Sequence, residues 1–234
     1  MKSAAPKSFK IEIYSDVVCP WCYVGKRYVT SALEYYRNTY PDEIQPEVHW
    51  LPYQLHAQLP AEGVDRHEYL KRRYPGQANS LEMFASVIKA AHKVGVEFNF
   101  DRIRVQPNTV NAHRLIRFAS QRDAREAVVE RLFRGFFNEG RNLSDLGVLA
   151  DIAAESGLDR DESAAYLASE VDADWVRETD ARAKYLGITT VPFIVLNGHK
   201  GVSGNMPAER IFEAFRWARR DFARPAWLRK LFRK

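Results

Sequence analysis

The sequence predicts an α/β fold whose sheet is built from both ends of the chain around a block of helices. Three observations predict it. Strand-like runs occupy only the first fifty-odd residues and the stretch near residues 190–203, helical periodicity fills residues 64–187, and Cys19-Pro20-Trp21-Cys22 stands where the first strand-like run meets the first helical one.

Lys10-Ile11-Glu12-Ile13-Tyr14-Ser15 alternates β-branched and aromatic residues with polar ones, and Asp16-Val17-Val18 leads into the cysteines. Pro20 suits a first helical turn, because its missing N–H is not needed there and its φ is already helical. Val24, Tyr28, Leu33 and Tyr36 then mark one apolar face, which Pro41 brings to an end. Gln45–Tyr53 reads as a second strand, with Val48, Trp50 and Pro52 on one side.

From about Val64 the period changes to that of helices. Leu81, Phe84, Val87, Ile88 and Ala91 form one stripe; Leu115, Ile116 and Ala119 a second; Ala127, Val128, Leu132, Phe136 and Phe137 a third. Ser144-Asp145 caps a helix that stops at Gly157, and Asp172 opens another that ends at Gly187. Thr190–Leu196 and His199–Ser203 flank Asn197-Gly198, a strong hairpin signal. Pro207 opens a last helix with Ile211, Phe212, Phe215 and Ala218 inward. The expected division is residues 1–60 and 187–222 for the sheet domain, 61–186 for an all-helical insertion, and 223–234 for a tail.

With 234 residues, 46% of them apolar, the chain can fill a sizeable core. The net charge of +5 is unevenly spread: residues 216–234 hold eight Lys/Arg and one Asp, leaving residues 1–215 at −2, the whole-chain +5 less +7. A slightly acidic body without an aromatic-basic strand motif argues against nucleic-acid binding. In the tail, Trp227, Leu228, Leu231 and Phe232 oppose Arg229, Lys230, Arg233 and Lys234, a pattern that suits a membrane surface or a partner. No apolar run approaches the roughly 20 residues of a membrane span. Met1–Ser8 lacks the apolar segment of a secretory signal, so the expected location is cytoplasmic.

Cys19 and Cys22 are the only cysteines. A reducing compartment disfavours a structural disulfide, and the six histidines show no metal-ligand spacing, so no metal site is expected. A pair at a helix N-terminus suits thiol chemistry: the thiolate attacks, and the unpaired N–H groups there favour negative charge.

Asp16–Gly25 with its Cys-Pro-Trp-Cys core, Asn108-Thr109 with Ala112-His113-Arg114-Leu115, and Val191-Pro192-Phe193 with Val202-Ser203-Gly204 together resemble the DsbA-like branch of the thioredoxin superfamily, in particular its cytosolic FrnE-type members. The resemblance implies a thioredoxin-like fold with a large helical insertion and a thiol–disulfide oxidoreductase or isomerase. It implies that Cys19 is the exposed nucleophile and Cys22 the buried resolving thiol. Pro20 and Trp21 would tune the redox poise, and Val191 would precede a cis Pro192 and bind substrate backbone. Related chains often carry a buried carboxylate six residues before the first cysteine. Ile13 stands there in this sequence, which leaves Asp16 as the candidate for proton transfer. His113 reads as a structural or surface histidine. Asn205-Met206 stands where FrnE-type chains often have Ala-Gln.

No cofactor is expected; glutathione is a candidate redox partner, and the substrate would be a protein or small-thiol disulfide. Monomer and homodimer both stay open. A second reading is a glutathione-dependent isomerase or transferase of the kappa-class or 2-hydroxychromene-2-carboxylate isomerase type. Those enzymes generally carry Ser where Cys19 stands.

Overall fold

A computed structural model describes residues 8–75 and 80–223. The centre of the sheet is β1 (Ser8–Ser15), whose Phe9, Ile11 and Ile13 are buried while Lys10 faces solvent, as the pleat requires. β2 (Gln45–Pro52) pairs with it in parallel, Ile11 opposite Val48 and Ile13 opposite Trp50. On its other side β5 (Phe193–Leu196) runs antiparallel, with Ile13 opposite Ile194, and β6 (Lys200–Ser203) closes the order β2-β1-β5-β6. The hairpin between β5 and β6 turns at Asn197 and Gly198, both in the left-handed region at φ 52° and 76°.

α1 (Pro20–Thr39) and α9 (Ala208–Ala223) pack on each other and on one face of the sheet, Tyr36 against Phe9 and Tyr40 against Phe212. The opposite face carries Tyr14 with Tyr53, Ala183 and Ile188. Between β2 and β5 the chain forms α2 (Arg66–Arg73), α3 (Ser80–His92), α4 (Val110–Ser120), α5 (Arg125–Phe137), α6 (Leu146–Glu155), α7 (Arg160–Ala168) and α8 (Ala173–Tyr185). Asp65, Asp145 and Asp159 cap α2, α6 and α7 by accepting first-turn N–H groups, so these starts are locally encoded.

The structure corrects several expectations. The insertion is not all-helical: β3 (Val64–Asp65) and β4 (Val105–Gln106) form an antiparallel pair, and a short 3₁₀ turn at Phe100–Arg102 precedes β4 in the chain. Two residues per strand are too few to show a period. Ala127 is exposed, and Val129 and Phe133 take its place in the buried face of α5. β5 begins at Phe193 rather than Thr190; Pro192, just before it, has no N–H to give to a ladder. Asp172 precedes α8 but does not cap it with its side chain; at φ 64° its carboxylate accepts from Arg117 and Tyr166 instead. The side chain of Leu81, and the tail after Ala223 with Trp227, Leu228, Leu231 and Phe232, lie outside the described residues.

Candidate active site

Cys19 is the N-cap of α1, with extended backbone and its N–H on the Asp16 carbonyl at 3.1 Å. Its own carbonyl accepts from Cys22 N–H at 3.0 Å, so the four-residue motif is the first helical turn, with Pro20 as its first residue. Both thiols are free. Cys22 is fully buried, and Cys19, expected to be exposed, is only 6% exposed. The Val191 segment covers it: Cys19 Sγ donates to the Val191 carbonyl at 3.8 Å. Burial pushes the Cys22 thiol well above its ordinary range, and the neighbouring Cys19 adds to this; the Ser15 hydroxyl and Asp16 backbone partly offset it by bonding to the sulfur. Trp21 is half-buried and packs on the core beside the pair.

The Val191–Pro192 peptide is cis, and Pro192 is clasped by two glycines. A Cβ on Gly25 of α1 would lie 2.6 Å from Pro192 Cγ and 2.8 Å from the Gly204 carbonyl oxygen; one on Gly204 would lie 2.9 Å from Pro192 Cβ. The Gly204 N–H also bonds the Pro192 carbonyl at 2.8 Å. Helix, cis bond and hairpin thus meet at van der Waals contact with no side chain between them. This is the local reason that the cysteines and Val191 share one site although the sequence separates them by most of the chain.

Asp16 is completely buried, and its Oδ2 accepts the Leu55 N–H at 2.8 Å. Its Oδ1 faces His113 Nε2 on α4 at 3.6 Å. His113 is therefore a buried neighbour of the site, 4% exposed, rather than a surface residue. Sequence reasoning did not connect it to the cysteines, because an α4 residue and a β1–α1 turn residue share no local signal. The Asn108-Thr109 segment braces the same region: Asn108 donates to the Leu59 carbonyl at 2.7 Å, while its Oδ1 accepts Val110 N–H at 3.0 Å. Burial lowers the proton affinity of nearby His56, against the opposing charge of Asp16.

One turn beyond Cys22, Lys26 is nearly buried and pairs with Glu130 of α5 at 3.0 Å, while Arg27 reaches the same carboxylate at 2.6 Å. Tyr23 donates to Glu130 at 3.0 Å, and burial with that negative charge pushes its hydroxyl up to about 12. Burial alone would raise the Glu130 carboxyl, but Lys26 and Arg27 outweigh it and hold the group below its usual range. Among the described residues no cluster of His, Cys, Asp and Glu could hold a metal ion, and no helix is long and apolar enough to cross a membrane.

Comparison with known proteins is consistent with this geometry. A family model described as the DSBA-like thioredoxin domain matches residues 10–216. The crystal structure of a probable DsbA oxidoreductase, SCO1869 from Streptomyces coelicolor, superposes with a TM-score of 0.77 at 31% identity, covering 90% of this chain and 89% of that one. The uncharacterized protein YwbO of Bacillus subtilis (strain 168) is 29% identical over 187 residues, 80% of this chain and 86% of its own. A 2-hydroxychromene-2-carboxylate isomerase shares the fold at a TM-score of 0.60 and 14% identity, covering 90% of this chain and 95% of that one.

Proposed function

The chain belongs to the DSBA-like thioredoxin domain family of disulfide oxidoreductases, and from that membership we propose that it exchanges disulfides with protein or small-thiol substrates through the Cys19–Cys22 dithiol. The observation that carries this reading is the pair of free thiols in the first turn of α1, one fully buried and the other against the Val191 carbonyl. Cys19, as thiolate, attacks a substrate disulfide and forms a mixed disulfide. Cys22 then attacks Cys19 and releases the substrate as a thiol, leaving the protein oxidised. The reverse sequence oxidises a substrate dithiol, so the direction follows the relative potentials.

Access to Cys19 requires the Val191 carbonyl to give up the thiol, and the freed backbone can pair with an extended substrate segment. Exposed Leu55, whose N–H is tied to Asp16, offers an apolar contact beside the site, which favours polypeptide substrates. The cytosolic FrnE-type members are the proposed subfamily, with a cytoplasmic location and glutathione as redox partner. The basic tail is proposed as the contact to a membrane surface or a partner.

The test is the equilibrium of the Cys19–Cys22 couple against glutathione, with an insulin-reduction assay beside it. The proposal expects a measurable couple, and it expects Cys22→Ser to trap a mixed disulfide on Cys19. Full turnover by Cys22→Ser would instead favour the single-residue isomerase or transferase reading. Failure to form the intramolecular disulfide in oxidising buffer would overturn the dithiol mechanism.

A further inference from the structure

Between the segment after β2 and the helical insertion lies a cavity of about 540 Å³, within the range of about 300–1,000 Å³ usual for ligand sites. Gln54, Asn108 and Asn111 line it with side-chain amides, and Glu170, Arg177 and Asp180 bring charge from α8 and the connection before it. The rest of the lining is apolar. The exchange chemistry uses none of these side chains.

The cavity is built rather than incidental. Gln54 is 2% exposed, and its amide nitrogen makes only long bonds, to Asn108 Oδ1 at 3.4 Å and Thr109 Oγ1 at 3.5 Å. Its Oε1 accepts no hydrogen bond among the described residues, which leaves a buried acceptor to be matched by a donor in the cavity. Glu170 is exposed and has no cationic partner among the described residues. Its backbone is nevertheless fixed: the carbonyls on either side of it, Ser169 and Val171, each accept from buried Arg114 at 2.7 Å. Arg114 also holds Asn111 Oδ1 at 2.8 Å.

The other charges are already answered. Asp180, 5% exposed, accepts the Gln54 N–H on Oδ1 at 2.7 Å and Lys184 on Oδ2 at 2.7 Å. Arg177 pairs with Asp174 at 2.9 Å. Three carboxylates against two cations leave a net −1, and Glu170 carries it.

We propose that this cavity takes a lysine or arginine side chain of the substrate polypeptide, with Glu170 meeting the charge and Gln54 Oε1 accepting one of its N–H groups. The proposal rests on the exchange reading above and names its substrate class: a disulfide-bearing polypeptide with a cationic residue close to the reacting cysteine. The cavity adjoins the site through two paths. Leu55 follows Gln54, and its N–H sits on Asp16, whose carbonyl holds the Cys19 N–H. Tyr53 and Ala183, the chain neighbours of Gln54 and Lys184, pack in one cluster with Val191. A substrate strand laid along Val191 rises about 3.3 Å per residue, so a residue two or three places from its cysteine lies roughly 7–10 Å along. The long stem of Lys or Arg extends that reach.

Three peptide disulfides of one sequence, with Lys, norleucine or Glu three residues to either side of the cysteine, test the proposal through the rate of mixed-disulfide formation. The protein should favour Lys over norleucine by roughly 5-fold, and Glu should react slowest. That order should flatten at about 0.5 M salt, since part of the contact is exposed to screening. Glu170→Gln should remove most of the preference, and Glu170→Lys should reverse it toward the Glu peptide, while the norleucine peptide keeps its wild-type rate in both. Equal rates for the three peptides, or a preference that survives both variants, overturns the proposal. Titration calorimetry with the same peptides carrying Ser for Cys separates the two readings. Selective binding of the Lys peptide with no mixed disulfide ever formed on Cys19 leaves the cavity assignment standing and removes the exchange reading.

Discussion

The sheet domain and the helical insertion are held in place by opposite means. Around Pro192 the sheet domain uses shape: Gly25 and Gly204 bring backbone against the proline ring with no room for a methyl group. The insertion, beyond its share of the apolar core, adds directed polar bonds. Arg114, 2% exposed, donates to the carbonyls of Tyr166, Leu167, Ser169 and Val171 and to Asn111, tying the α7–α8 connection to α4. Shape leaves little slack and suits a site where a sulfur and a carbonyl must meet. Directed bonds can hold a longer connection, and here they fix the helix that delivers His113.

The contrast can be broken from either side. Arg114→Met should give the largest loss of stability, about 3–5 kcal/mol, because it leaves several buried carbonyls unpaired. Chemical denaturation would measure it. Gly25→Ala should cost about 1–3 kcal/mol through overpacking against Pro192 and Gly204. It should also lower the exchange rate by roughly 100-fold by displacing Val191 from Cys19. A Gly25→Ala protein with normal exchange would show that the close contact is not needed for the chemistry.

At the junction of the two regions, Glu130→Gln should cost about 2 kcal/mol, since it leaves Lys26 buried without its nearer carboxylate. The sign with pH follows from the lowered Glu130 group. Its contribution is complete above the unfolded-state value of 4.5 and disappears as pH falls through the lower folded value. Wild-type stability should therefore drop in that acid window and the variant's should drop less, as paired denaturation curves would show. The smallest effect is expected at Gly157→Ala, about 1 kcal/mol, because its φ of 88° disfavours a side chain although nothing stands within 4 Å of the added carbon.

Much of this was legible in the sequence where the cause is local. Pro20 after Cys19, Asn197-Gly198 in the hairpin and Asp145 before α6 each act within a few residues, and each marks its element correctly. What depended on distant partners was not legible. The β3–β4 pair joins residues 64–65 to 105–106, and its strands are too short for a pattern to form. The resemblance implied the Val191 backbone beside the sulfurs, yet Cys19 was expected to be exposed, because nothing near it in sequence reports that the Val191 carbonyl covers the thiol. Asp16 was a candidate from its position alone, whereas His113 gained its interest only when α4 was seen against the β1–α1 turn.

The strand order carries a consequence for the time at which the protein becomes itself. β1 lies between β2, which follows it closely in the chain, and β5, which comes only after the whole insertion. During synthesis at about 5–20 residues per second, Cys19 and Cys22 leave the ribosome many seconds before Val191 and Pro192. In that interval the nascent chain presents its thiols without their cover. The insertion can assemble first; the Val191 segment then closes the site, and β5 with β6 after it completes the sheet.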